Sequence, residues 1–519
     1  MRKLLIVIAL AVLAGCSGNR QAAQEQFVAG QAFEQAGQVD SARVCYQEAI
    51  AMDRKCVEAH LAYQDLMLKD LRNEDALWDE YEVWAGEALR DYRAQLLFAR
   101  LWPDSDKRLE KTAKWAEWQG DEYWVQRLLG EAYQKHNTLN YRSEAIAAYE
   151  KAYAIDSNRV DLLKTLTQLC TWDERPAEAL RYARRAVELA PERPELLPPL
   201  WQARYQASAQ ADSLLPVLLA EIETVKAVHG ENTAFLDALI SILYRLDADQ
   251  AKALQQRVAK LDPQGEWAAR QALVSIWAIR QPEKHLADYR DFVTRFPRHM
   301  YVPFMMQNYF DGARKTSDFN VTEAEEFATD LVKNEGAEPR IFNRLLSYVE
   351  ETAAEDWARQ EAIAQKWISL SGRRHKGLAC GSLGEIYLKQ SRWDDAVTVL
   401  STADSLNRHY GSASSSVCAN LGRAYVGLEA EEKALACFAQ SLGLRQNDEI
   451  LAEFHRLYEK QHGSLEGAAK YLNQNVLALS ALKKPYAAPD LELTMLDGRT
   501  VATRDFKGKV VMYALWNPG

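Results

Sequence analysis

The sequence predicts a mostly α-helical chain: helical hairpins stacked one on the next as a solenoid, followed by a short α/β stretch at the C-terminal end. Three observations lead there. Glycine and proline are sparse, 24 and 15 in 519 residues, which disfavours an all-β or disordered chain. Apolar residues recur at helical spacing along most of the length, as in Ala234-Phe235-Leu236-Asp237-Ala238-Leu239-Ile240. A set of spaced residues also repeats: Leu383-Gly384, Tyr387, Ala396, Leu400 and Ala403 return 38 residues later as Leu421-Gly422, Tyr425, Ala434, Phe438 and Ser441. The net charge of −10 argues against nucleic acid as a partner, because clustered cations are needed to replace its counterions. It also opposes anionic lipid headgroups, so membrane attachment requires a dedicated anchor.

Residues 1–15 supply that anchor's signal. Met1-Arg2-Lys3 precedes an apolar run from Leu4 to Ala14, then Gly15-Cys16-Ser17. The run is too short to span a bilayer stably and has the order of a secretory signal. Leu13-Ala14-Gly15-Cys16 resembles the lipobox of bacterial lipoproteins. The resemblance implies that 1–15 is removed and that Cys16 is the lipid-attachment residue, acylated on its sulfur and amine. Several acyl chains hold a protein where one does so marginally. Without Arg2 and Lys3 the net charge becomes −12. The other reading is a secreted protein in which Cys16 is incidental. Ser17, where Asp would signal inner-membrane retention, points to the cell envelope at the periplasmic face of the outer membrane. Residues 16–26 are polar and read as a lipidated tether.

Residues 27–199 carry the first repeats. Gly30, Phe33, Ala42, Tyr46 and Ala49 keep the spacing of the 383–403 set. Leu129-Gly130, Tyr133, Ala145, Tyr149 and Ala152 do so with a turn longer by three residues, and Leu166, Cys170, Ala179, Ala183, Ala186 and Pro191 form another unit. These positions resemble the tetratricopeptide repeat (TPR), a helix–turn–helix unit. Gly or Ala suits the close approach of two helices, Tyr, Phe and Leu fill the joins, and Pro or Asp156-Ser157-Asn158 ends a second helix. Each hairpin has an apolar face it cannot bury alone, so units stack. Residues 57–90 keep Tyr63, Met67 and Ala76 in phase, as a worn repeat. Residues 200–375 read as degenerate helical hairpins. Residues 376–480 read as C-terminal repeats, ending in a pair at 448–480 with Leu457, Tyr458, Ala468 and Leu472 facing inward. The resemblance implies protein or peptide partners bound along the solenoid.

Within 27–480 no motif supports catalysis: His-Glu-x-x-His, Gly-x-x-x-x-Gly-Lys-Ser/Thr and Gly-x-Ser-x-Gly do not occur. No catalytic, metal-ligating or cofactor-binding residue is assigned, and no cofactor is expected. Cys380 and Cys418 occupy one repeat phase, and Cys45 and Cys437 another. Such slots suit buried thiols. Equivalent positions on stacked helices lie roughly 8–10 Å apart, beyond disulfide reach. Aromatics are dense from Trp78 to Trp124, including Tyr81, Trp84, Tyr92, Trp102, Trp115, Trp118 and Tyr123. They keep no single spacing and read as fillers between mismatched hairpins. The sharper alternative is a groove for a peptide or glycan.

The character changes at Lys483-Lys484-Pro485. Leu491, Leu493 and Met495 alternate, Asp497-Gly498 forms a turn and Thr500-Val501 begins a return, which is a β-hairpin pattern. Val510-Val511-Met512-Tyr513-Ala514-Leu515-Trp516 reads as a buried core strand. Ala488-Pro489-Asp490, Leu496-Asp497-Gly498, Phe506-Lys507-Gly508-Lys509-Val510-Val511 and Trp516 resemble the start of thioredoxin-like proteins of the redoxin and TlpA kind. The resemblance implies a thioredoxin-like domain at 485–519, whose reactive cysteine follows the first core strand. The chain stops at Asn517-Pro518-Gly519, before that position, so a truncated fragment is expected, without activity as it stands. The leading expectation is a lipoprotein scaffold whose repeats bind partners and whose complete product presents the thioredoxin-like domain. The alternative is a thiol–disulfide oxidoreductase or peroxiredoxin-type enzyme with its cysteines beyond Gly519.

Overall fold

The helical hairpins close where a glycine faces a bulky side chain. A Cβ built on Gly130 would lie 2.6 Å from the Tyr149 ring, one on Gly422 2.6 Å from Phe438, and one on Gly30 2.5 Å from Tyr46; at Gly384 the side chain opposite is Leu400. Three of these pairs are 16 residues apart and the Gly130 pair 19, which accommodates its longer turn. The turn geometry repeats as well. Gly37, Glu174, Ser391 and Glu429 all have φ between 56° and 73°. The next N–H then reaches back five residues: Gln38 to Phe33, Arg175 to Cys170, Arg392 to Tyr387 and Ala430 to Tyr425, at 2.8–2.9 Å. This left-handed step costs a non-glycine residue about 1–2 kcal/mol, and three of the four turns bear that cost.

The computed structural model describes residues 2–480, except 138–139, 278–282, 284, 314, 316–319 and 411–412, together with 492–494 and 500–502. Nearly all of it is helix, from Arg2–Gln35 to Ala468–Ser480. The chain divides into two compact units, Met1–Ala413 and Ser414–Gly519. In the second, Phe438, Phe454, Leu457 and Tyr458 form the core of two successive hairpins. In the first, hairpin cores follow one another along the chain, for example Tyr149, Leu163, Leu166 and Tyr182, then Phe235, Leu239, Ile240 and Leu254.

The first unit also makes contacts that a linear stack of hairpins does not predict. Residues 70–107 meet residues 298–410 across the fold. Trp78 packs edge-on against Tyr410 at 5.3 Å between centroids, and Arg298 reaches Asp70 at 3.1 Å.

The thioredoxin-like reading of 485–519 is corrected. Strand pairing among the described residues is limited to Glu492–Thr494 against Thr500–Ala502, antiparallel, with Leu493 opposite Val501. A thioredoxin-like α/β fold needs a multistranded sheet joined by crossover helices. An isolated two-stranded hairpin is a far more general object, and the Asp-Gly turn with short alternation signals no more than that. The expected core strand at 510–516 lies outside the described residues. With the domain goes its implied chemistry. Presentation of a thioredoxin-like domain, the oxidoreductase alternative and the peroxiredoxin alternative are all withdrawn.

Candidate functional site

An aromatic cleft opens in the degenerate stretch, built from four short segments. The helix Thr233–Leu246 starts at Asn232, whose side chain accepts the Phe235 N–H at 2.9 Å. It ends at Asp247, which also starts the helix Ala248–Leu261 by accepting the Gln250 N–H at 3.0 Å. One residue thus separates two helices. The pair buries Phe235, Leu236, Leu239, Ile240 and Leu243 against Ala251, Leu254 and Val258, leaving Tyr244 on the outside.

The helix Glu266–Trp277 then presents two faces. Ala268, Ala269, Leu273 and Ile276 are buried. Trp267, Arg270, Val274 and Trp277, at i, i+3, i+7 and i+10, share the other face. Val274 is 65% exposed and Trp277 54%. The fourth segment is His299-Met300-Tyr301, where Met300 is 79% exposed. Trp277 meets Tyr301 edge to face at 5.6 Å, and His299 stacks on Tyr301 at 5.6 Å. Together these residues line a cleft of about 570 Å³, with Lys252, Gln255, Gln256 and Gln271 among its polar groups. That is within the range of pockets for small ligands and side chains. A second cavity of about 320 Å³ shares Glu266 and His299 as a wall.

The cleft combines aromatic, amide and charged groups. The Trp267 indole N–H donates to Asp237, and the Arg270 guanidinium lies over the Trp267 ring at 5.0 Å while pairing with Glu266 at 2.7 Å. Its groups stack, bury apolar surface and donate hydrogen bonds. Among the described residues no cluster of three His, Cys, Asp or Glu could hold a metal ion.

The residues singled out from the sequence fall elsewhere. Cys16 lies on the long helix Arg2–Gln35, and its side chain is outside the described residues. Among the described residues no helix is long and apolar enough to cross a membrane. Among the described residues no disulfide joins Cys45, Cys56, Cys170, Cys380, Cys418 or Cys437; the first five are buried and Cys437 is half-buried. Burial pushes the Cys170 thiol up to about 12, and raises Cys56 and Cys380 too. Such thiols are poor nucleophiles.

The aromatic run from 78 to 124 fills joins. Trp78, Tyr81, Trp84 and Tyr92 are buried, and of the run's tryptophans Trp118 stands out as exposed, at 80%. Trp84 stacks on His60 at 4.6 Å. His60 pairs with the Tyr81 hydroxyl through Nδ1 at 2.7 Å and with the Arg54 carbonyl through Nε2 at 3.1 Å. Burial depresses the His60 pKa to about 4 although the Arg54 carbonyl opposes this, so the ring is neutral near pH 7.

One buried charge cluster supports these hairpins. Arg100 bridges Glu131 at 2.9 Å and Asp65 at 2.6 Å, and Lys135 adds a third contact at 2.6 Å to Glu131. Burial pushes the Glu131 carboxyl up, but Arg100, Lys135 and Arg127 outweigh it and hold the pKa at about 2.

The cleft residues Tyr244, Trp267, Val274, Trp277 and Tyr301 were not picked from the sequence. The stripe at 267, 270, 274 and 277 was a readable signal. It lay on a helix whose other face is apolar too, so spacing alone did not say which face stays open.

Comparison with known proteins agrees with the hairpin units. Residues 26–56 and 415–448 match one tetratricopeptide-repeat family model, and residues 379–403 match another. No curated protein sequence matches. Similar solved structures include a thermophilic TPR protein of Thermus thermophilus (18% identity, TM-score 0.28, 35% of this chain and 98% of that one). Others are the Cut9–Hcn1 heterotetramer of the APC/C (12%, 0.28, 84% and 96%) and the MamA protein (14%, 0.22, 40% and 96%).

Proposed function

We propose that this chain is a lipid-anchored helical-repeat scaffold of a bacterial envelope, which binds a protein partner by seating an extended segment of it in the cleft at 244–301. The observation that carries the reading is the pair Val274 and Trp277, open to solvent beside Tyr301 and the half-buried Trp267, on a helix whose opposite face is buried. Exposed apolar clusters with a polar rim mark binding surfaces, and aromatic anchors dominate binding energy at protein interfaces. The amides of Gln255, Gln256 and Gln271 suit a peptide backbone, which offers both donors and acceptors. The tetratricopeptide-repeat matches at both ends of the chain support a scaffold. The anchor at Cys16 and the periplasmic face of the outer membrane follow from the lipobox resemblance.

A photo-crosslinking residue at Val274 in the full chain tests the cleft in cells. A discrete protein adduct that disappears when Trp277→Ala and Tyr301→Ala are added supports the reading. Adducts indifferent to those substitutions, or protection of the cleft by polysaccharide alone, overturn it. For the anchor, Cys16→Ala should abolish acyl labelling and release the protein from membranes. Retention in the membrane fraction would refute the anchor.

A further inference from the structure

The long-range contacts of the first unit have one theme: charged side chains of residues 72–107 cap the ends of three helices far along the chain. Arg72 donates to the Lys333 and Asn334 carbonyls at 2.8 and 3.0 Å, at the C-terminal end of the helix Val321–Lys333. Asp75 accepts the Arg373 N–H at 3.0 Å on both oxygens, at the N-terminal end of the helix Arg373–Lys389. Lys107 donates to the Arg408 carbonyl at 3.3 Å, at the C-terminal end of the helix Trp393–His409. Each sign matches the helix dipole: cations at the two C-termini, an anion at the N-terminus. Each cap satisfies backbone groups that the helix itself leaves orphaned. Ion pairs reinforce them, Asp79 with Arg373 at 2.6 Å and Glu74 with Arg374 at 2.5 Å.

This seam differs from the closures within hairpins. There the two helices meet by close approach at glycine. The seam is bridged by long arginines, Arg72, Arg298, Arg373 and Arg374 at 40–47% exposure, paired with the more buried Asp70 and Glu74 (14% and 11%) and the exposed Asp79. It encloses a cavity of about 190 Å³ beside Ser371 and Gly372, and the buried Ser371 hydroxyl has no hydrogen-bond partner among the described residues. Its apolar parts are the patch of Trp78 and Trp102 against His409 and Tyr410 and the cavity wall, where Leu71 lies near Val332, Ala337 and Leu370. The cavity and the Ser371 hydroxyl leave this contact short of full close packing and polar satisfaction.

The geometry points to a reversible clasp: residues 72–107 close on the ends of the helices at 321–333, 373–389 and 393–409 as one body, and high ionic strength opens it. Salt screens dipole and half-exposed ion-pair contacts, but leaves apolar hairpin joins in place. Opening separates Trp78 and Trp102 from His409 and Tyr410 while each hairpin stays folded.

Hydrogen exchange on the full chain tests this without any substitution. Between about 0.1 M and about 1 M sodium chloride, amides at 70–79, 373–376 and 405–410 should exchange faster by roughly tenfold, and those of 142–155 should not change. Asp75→Ala in about 0.1 M salt should reproduce the change at all three caps, including the Arg72 and Lys107 caps that it does not touch. Two results would overturn the clasp. One is exchange at the seam that ignores salt. The other is a loss of protection in Asp75→Ala confined to residues 373–376, which would make the caps independent surface contacts. Should Asp75→Ala lose helicity, Arg72→Ala serves the same test, read at 373–376.

Discussion

The hairpin at 123–155 and the stretch at 233–301 use bulky rings in opposite ways. In the first, Gly130 leaves a hollow that the Tyr149 ring fills, and the ring is 1% exposed. In the second, Trp277 and Tyr301 meet edge to face and stay partly in water. The residue types alone do not separate structure from recognition. What stands opposite the ring does. Where a neighbouring helix offers a hollow, the aromatic closes the fold. Where it offers none, the aromatic stays partly open to solvent.

That contrast can be broken by filling the hollow. Gly130→Leu should cost about 3 kcal/mol by overpacking against Tyr149, read as a lower denaturation midpoint of the full chain. Trp277→Ala should change that midpoint by about 0.5 kcal/mol at most. Equal losses from the two would erase the distinction. The same Trp277→Ala should weaken binding of the crosslinked partner by about 2 kcal/mol, roughly thirtyfold, as an interface anchor does. Titration calorimetry with the captured segment measures it, and Tyr149→Phe should leave that affinity unchanged.

Acid sharpens the contrast, because titratable groups with large shifts sit beside the closed hairpins. His60 has its folded pKa lowered from 6.5 to about 4. Its contribution is full above 6.5 and is lost as pH falls through the window to 4. Glu131 is lowered from 4.5 to about 2, and its contribution is lost as pH falls below 4.5. Thermal melts should therefore weaken in two stages on acidification. Glu131→Gln should flatten the stage below pH 4.5 and lower stability near pH 7, since Arg100 loses one of its two carboxylate partners. A melting temperature independent of pH from 6.5 to 4 would contradict the buried neutral His60.

The smallest effect concerns the turns. Ser391→Gly and Glu429→Gly relieve a left-handed residue, and each should raise stability by up to about 1 kcal/mol. At Gly37 that relief is already in place, so Gly37→Ala should lower stability by a similar amount. Thermal melts of the three variants compare them directly.

Much of the hairpin fold was legible. Gly384 with Leu400, and Gly422 with Phe438, stand at one spacing because both partners lie within one local unit. The same logic placed Cys380 and Cys418 in small buried slots. The cleft was harder to see because its walls come from 244, 252–256, 266–277 and 299–301, which share no repeat phase. The redoxin-like reading failed for a related reason. Leu493 opposite Val501 across a short turn is a local hairpin, and a local hairpin does not define the sheet around it.

By itself the sequence determined the helices and the closures of glycine onto a bulky side chain, since each depends on residues fewer than about twenty apart and helical spacing encodes such contacts directly. Only the tertiary structure decided which face of 266–277 stays open and that Asp75 caps the helix at Arg373, 298 residues away. No local spacing records such a meeting. It depends on small rotations accumulated over every hairpin between them, and a change in any one would carry the two ends past each other.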